Sequence, residues 1–221
     1  MSQADESARC DALLVKFDWP EDGAASPSRM LKALATLIGA RLTLHQSMPP
    51  PGADTRASFC IEGYAYFAVP DTKLGFPSEG IAARDTLRQA MRRAALLSSI
   101  VRLQSRLNLA GAPSGRPALF HYTIETDVTP VEMEPGLNAW YDTEHLLGLA
   151  TLPGIKRAAR FTNLDSPNTG TGAASHACYD LFSAATIGSP AWSALLNTAW
   201  SQRVHPHLCN TKYTLFKRID G

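Results

Sequence analysis

Ala110-Gly111-Ala112-Pro113-Ser114-Gly115-Arg116-Pro117 is the stretch on which the fold turns. Glycine and proline fill every second position from Gly111 to Pro117, so neither a helix nor a strand ladder runs through it and it reads as a short linker. Downstream, Leu119 to Thr126 reads as a strand, Glu134 to Leu152 as a helix stopped by Pro153-Gly154, Lys156 to Thr162 as a strand and Cys178 to Ala184 as another. Ser189-Pro190 supplies an N-cap with proline at the first helical position, predicting a helix to about Arg203. Lys212 to Ile219 closes this half as a strand.

Upstream the same order appears. Ala12 to Trp19 is a β-rich run ended by Pro20, and Ser26-Pro27 opens a helix with Met30, Leu31, Leu34, Leu37 and Ile38 at helical spacing and Gly39 as its stop. Arg41 to Met48 alternates as a strand before the Pro49-Pro50-Pro51-Gly52 run, and Cys60 to Val69 is the next strand. Pro77 to about Leu97 reads as an amphipathic helix with Arg84, Arg88, Arg92 and Arg93 outward, and Val101 to Leu109 as the closing strand. Each half, residues 10–110 and 117–221, therefore reads strand, helix, strand, strand, helix, strand. Such a half buries one sheet face under two helices, which predicts an α+β chain of two tandem halves packed sheet to sheet as a pseudo-dimeric barrel, with a pocket between sheet and helices in each.

Composition narrows the function without naming it. Lys and Arg number 21 against 20 Asp and Glu, so the net charge of +1 gives no reason to expect nucleic acid or an anionic membrane as partner. The basic helix face from Arg84 to Arg93 has no interleaved aromatics and reads as a solvated face. Met1 to Arg9 lacks a basic start followed by an apolar run, and no segment is apolar for long enough to span a bilayer, so a cytoplasmic protein is expected. Cys10, Cys60, Cys178 and Cys209 are scattered and read as reduced thiols, neither a zinc site nor a disulfide framework. Asn168 to Gly172 is glycine-rich but precedes no helix and reads as a hairpin loop, not a phosphate cradle. No Gly-x-Ser-x-Gly is present and no cysteine has a plausible local partner, so covalent catalysis is not expected.

The second half carries Trp140-Tyr141-Asp142-Thr143-Glu144-His145, then Leu152-Pro153-Gly154-Ile155 and Arg157 to Phe161, then Ser189 to Trp192 and Trp200 to His207. In these motifs it resembles the dimeric α+β barrel superfamily, whose ferredoxin-like βαββαβ halves pair through their sheets. The first half shares the layout but has no counterpart of the Tyr-Asp-x-Glu-His segment, and reads as a degenerate partner. The superfamily includes cofactor-free monooxygenases, decarboxylases, EthD-like proteins, haem-dependent members and isomerases, so the fold selects no reaction. A fused version is also similar in layout and size to the cis–trans isomerases that act on ring-cleavage products in syringate catabolism, part of lignin degradation. That likeness implies a cofactor-independent isomerase of a small, conjugated, anionic substrate, and is compatible with a homo-oligomer. The alternatives are a cofactor-free monooxygenase or EthD-like degradative protein, and a non-catalytic binding or stress-responsive barrel.

Candidate chemistry concentrates in the second half. Tyr141 and His145 lie four apart, on one face of a helix, as an acid–base pair or as packing residues. His205 and His207 flank Pro206 beyond the last helix, as further acid–base candidates. Arg203 can pair with a ligand carboxylate while Trp200 covers a flat chain, or Arg203 can cap its helix C-terminus. His121 and Tyr122 are strand neighbours, so only one of them faces the pocket under the helices. Arg157 and Arg160 likewise oppose one another, and at most one binds ligand there. The four histidines His121, His145, His205 and His207 lack the spacing of a metal site, and neither metal nor cofactor is expected.

Overall fold

Alternation decides each strand and the helices cover the apolar side. A computed structural model of the chain describes residues 10–20, 27–49, 61–68, 77–96, 98–111, 115–165 and 172–219. The cap at Ser26, the residues 50–52 of the proline run, Cys60, residues 112–114 of the linker and residues 168–171 of the glycine-rich loop lie outside these.

The elements follow in the order β1 (Ala12–Asp18), α1 (Pro27–Ile38), β2 (Arg41–Ser47), β3 (Glu62–Ala68), α2 (Pro77–Arg93) and β4 (Ser98–Ala110). The second run is β5 (Phe120–Val128), α3 (Glu134–Trp140), a π-helical turn (Tyr141–His145), α4 (Leu146–Ala150), β6 (Ile155–Asn163), β7 (Ser175–Leu181), α5 (Pro190–Leu196), α6 (Ala199–Val204) and β8 (Leu208–Arg218). The strands hydrogen-bond in the order β1-β3-β2-β8-β5-β7-β6-β4 and close into a barrel, the α+β architecture expected. Among the described residues no helix is long and apolar enough to cross a membrane.

Two expected helices are interrupted. The one expected over 134–152 passes through the π-turn, and the one expected to end near Arg203 breaks at Asn197 (φ −107°), after which Thr198 accepts from the Ser201 amide and caps a new helix. The expected proline device holds at α5, where the Ser189 hydroxyl accepts from the Trp192 amide and Pro190 takes the first turn. At the end of α4, Gly154 sits at φ +98°, a conformation that glycine adopts without a Cβ penalty, and turns the chain into β6.

Contacts divide the chain into two units. Unit 1 is Met1–Ser105, Asn163–Thr171 and Phe216–Gly221; unit 2 is Arg106–Thr162 and Gly172–Leu215. In unit 1, Leu13, Val15 and Phe17 of β1, Leu44 of β2 and Ala65 and Phe67 of β3 form one buried core with Leu31 and Leu34 of α1 and Leu87 and Met91 of α2. At Gly63 the packing is close: a Cβ there would collide with the Phe17 ring. The buried carboxylate of Asp165 is structural, accepting from the Arg102 amide and guanidinium at 2.7–2.9 Å and from Arg84 at 3.4 Å.

Unit 2 places β7 between β5 and β6, with Tyr122 opposite Tyr179 and Ala158 opposite Tyr179 on its other side. The face carrying Ile124, Ala158, Ala177, Tyr179 and Leu181 packs under Leu137, Trp140, Tyr141, Leu146, Leu149, Trp192 and Val204 of the helices. Burying each such side chain contributes about 1.5–3 kcal/mol.

Candidate functional site

The site in unit 2 starts from the π-turn. An α-helix aligns residues three and four apart, whereas one π-turn widens the coil and brings i and i+5 into line. Trp140 and His145 are five apart, and their rings stack with centroids 4.0 Å apart and planes at 21°. Tyr141 meets His145 edge-on at 5.4 Å, so all three rings are buried together against the sheet. From the end of α6, His205 presents its ring edge-on to Trp140 at 5.6 Å. The other wall is aromatic as well: Trp192 of α5 contacts Tyr179 at 5.3 Å and Tyr122 at 5.9 Å.

Register decides which charged strand residues enter this space. On β6, Arg160 pairs with Ala177, on the helix-covered face, whereas a bulge between Ile155 and Arg157 leaves Arg157 beside Asp180 on the reverse face. Arg160 is almost fully buried, its guanidinium 4.5 Å from the centre of the Tyr141 ring, and its Nε donates to Ser175 Oγ at 3.2 Å. Nη1 lies 4.0 Å from Asp142 Oδ1, too far for a hydrogen bond, and both atoms are buried with no hydrogen-bond partner. Trp140 Nε1, His145 Nδ1 and the Tyr179 hydroxyl are also buried and unpartnered. Polar atoms left in this way cost about 1–3 kcal/mol each, so a cluster of them marks a place where a polar ligand or water completes the structure.

Burial sets the protonation states. It holds His145 down at about 3, with the charge of His205 adding to the effect, and it also lowers His205, so both imidazoles are neutral at neutral pH. Burial pushes the Tyr141 phenol up to about 12 against the pull of Arg160, Tyr122 up to about 12, and Tyr179 well up, which keeps all three as neutral donors. Arg160 is disfavoured by burial and supported by Tyr141 and Asp142, and a guanidinium keeps its proton under such pressure. The site is thus an aromatic box with a buried cation, neutral imidazoles and hydroxyl donors.

The residues singled out in the sequence divide between this box and other places. Tyr141, His145, His205, Arg160 and Tyr122 come together there. Trp200 packs at the margin of the unit 2 core, Arg203 is exposed, and His207 Nδ1 lies 3.3 Å from the Thr129 carbonyl, tying the turn after α6 to the end of β5. His121 and Arg157 lie on the reverse face of the sheet, where both bind Asp180, at 2.7 and 3.3 Å. Asp142 and Trp192 belong to the sequence motifs but not to the candidate chemistry, and Tyr179 belongs to neither. Nothing local marks Tyr179, but Trp192 follows the Ser189-Pro190 cap and Asp142 adjoins Tyr141. No local partner for a cysteine is expected from the sequence, and the partner of Cys178 is a distant one: it hydrogen-bonds His121, 57 positions away in the chain, through strand pairing. Among the described residues no group of three or more His, Cys, Asp or Glu could hold a metal ion.

No protein-family model matches the chain, and no curated protein matches it. Solved structures do. A candidate monooxygenase from Fusobacterium nucleatum superposes with a TM-score of 0.57 at 12% identity, over 96% of this chain and 94% of its own. Chlorite dismutase from Candidatus Nitrospira defluvii in complex with imidazole gives 0.55 at 10% identity, over 98% and 94%. The fold is the dimeric α+β barrel. An anthrone oxidase-like protein gives 0.52 at 14%, over 95% and 92%. Three differently named proteins on one barrel make the likeness one of fold alone, and the reaction has to be read from the site.

Proposed function

We propose that unit 2 binds a small conjugated carboxylate under its helices and isomerises it about a double bond by moving a proton, without a cofactor. The observation that carries this reading is the buried Arg160, its Nη1 unpartnered, in a box of aromatic rings beside a neutral, unpartnered His145. A guanidinium in that state is a seat for a carboxylate, and flat rings suit a flat chain. With the substrate a 2-hydroxydienoate, its carboxylate pairs with Arg160. The added negative charge raises the basicity of His145, so the base becomes competent when the site is filled. His145 takes the enol proton while the Tyr141 hydroxyl protonates the chain carbon, and Arg160 above the ring steadies the developing phenolate. The former double bond is now single and rotates. Return of both protons fixes the other geometry, as in an intermediate of aromatic, lignin-derived catabolism.

The test is to mix the protein with a panel of ring-cleavage dienoates and follow their absorbance. Turnover is expected, falling about 10²–10⁴-fold in His145→Ala. Turnover within a few-fold of wild type in both His145→Ala and Tyr141→Phe would overturn the assignment. Oxygen uptake with a phenol and no change in any dienoate would point instead to a monooxygenase, the activity under which the Fusobacterium nucleatum neighbour is named.

A further inference from the structure

The reverse face of the unit 2 sheet holds a second arrangement. Side chains alternate along a strand, so with Ala177, Tyr179 and Leu181 under the helices, His176, Cys178 and Asp180 of β7 point the other way, as do His121 and Thr123 of β5. His121 stands opposite Asp180 and Thr123 opposite Cys178. His121 Nδ1 meets Asp180 Oδ1 at 2.7 Å, Arg157 reaches the other carboxylate oxygen at 3.3 Å, and the His121 ring also hydrogen-bonds Cys178. This is a thiol, an imidazole and an orienting carboxylate in series, all three polar partners held by strand register.

Two observations point to a ligand beside the thiol. Cys178 is flanked across the sheet by Thr123 on β5 and Ala159 on β6, both small side chains. The Thr123 hydroxyl is buried and has no hydrogen-bond partner, which calls for a polar molecule the size of water. A thiol buried to this degree excludes bulky electrophiles, and hydrogen peroxide is an electrophile close to water in size.

We propose that Cys178 is a peroxide-reactive thiol, with His121 as its proton carrier and Asp180 as the group that orients His121. The hydrogen bond between Cys178 and His121 gives the thiol proton a path to the ring. Sulfur attacks one peroxide oxygen, the O–O bond breaks, and sulfur gives two electrons to the departing oxygen. That oxygen leaves as hydroxide and takes the His121 proton to become water, so thiol and peroxide yield sulfenic acid and water. The Thr123 hydroxyl holds the peroxide. This site is on the opposite face from the box around Arg160 and does not rest on the function proposed there.

Cys10 is an internal control. It is buried to a similar degree, but its hydrogen bonds go to the backbone at Leu103 and Ala12, and burial pushes its thiol up to about 11. The native protein is exposed to hydrogen peroxide for timed intervals, quenched with catalase, and unfolded in dimedone before peptide mass mapping. Cys178 is expected to form sulfenic acid at least about tenfold faster than Cys10, because its hydrogen-bonded imidazole carries the proton that the departing oxygen needs. Thr123→Val, which removes an unpartnered hydroxyl and should leave the fold intact, is expected to slow Cys178 several-fold, and Asp180→Asn to slow it further. Equal rates at Cys178 and Cys10 in the native protein would overturn the proposal. A fast Cys178 unaffected by Thr123→Val would remove the peroxide site assigned to it.

Discussion

Replacing Arg160 by Met separates a ligand-binding residue from a structural one. Met keeps the length and much of the volume of the side chain and removes its charge. In the folded protein the guanidinium gains one hydrogen bond, to Ser175 at 3.2 Å, and a contact with the Tyr141 ring at 4.5 Å. Charged hydrogen bonds contribute about 1.5–3 kcal/mol and a desolvated cation–π contact about 2 kcal/mol. Against these stand the desolvation of a buried cation, several kcal/mol, and about 1–3 kcal/mol for the unpartnered Nη1. The terms nearly cancel, so Arg160→Met should change unfolding free energy by no more than about 1 kcal/mol, roughly 2–4 °C in Tm. Binding of a conjugated carboxylate should weaken by about 2–5 kcal/mol, 30-fold or more, because the ligand loses its counter-charge in a dry site. Urea unfolding gives the first quantity. Quenching of the fluorescence of Trp140 and Trp192 by a carboxylate series gives the second. A loss of about 3 kcal/mol or more in stability with unchanged carboxylate binding would refute the reasoning, since it would make Arg160 a structural cation.

His121 and His145, both buried, predict opposite limbs of the pH–stability curve. Burial opposes charge on His121 but its bonds to Asp180 and Cys178 prevail, raising it from 6.5 to about 9; its contribution is full below pH 6.5 and is lost as pH rises to 9. His145 is lowered to about 3, so the unfolded chain takes up a proton that the folded one refuses, and stability falls as pH drops from 6.5. Urea titrations should show the alkaline limb flattened in His121→Gln and the acid limb flattened in His145→Phe; limbs parallel to wild type would contradict both assignments. Gly154→Ala should destabilise by more than about 1 kcal/mol, because its φ is +98° and its Cβ would meet Thr186. A neutral effect in thermal unfolding would show that the α4–β6 turn relaxes.

The element order was legible in the sequence because it is written in local signals: proline and glycine between periodic runs, Ser-Pro caps, and the alternation of apolar residues. Those signals also brought Tyr141, His145, His205 and Arg160 into consideration. What local spacing could not reveal was the π-turn, since the sequence from Tyr141 to His145 reads equally well as α-helix and only packing against the sheet puts Trp140 and His145 face to face. Pairing across strands decided the rest. Arg160 rather than Arg157 and Tyr122 rather than His121 turn toward the helices, and Cys178 and Asp180 of one strand meet His121 of the next. The chain by itself determines which segments are strands and helices, because that depends on neighbours in sequence. Which polar groups meet depends on register, and register exists only once the sheet has formed.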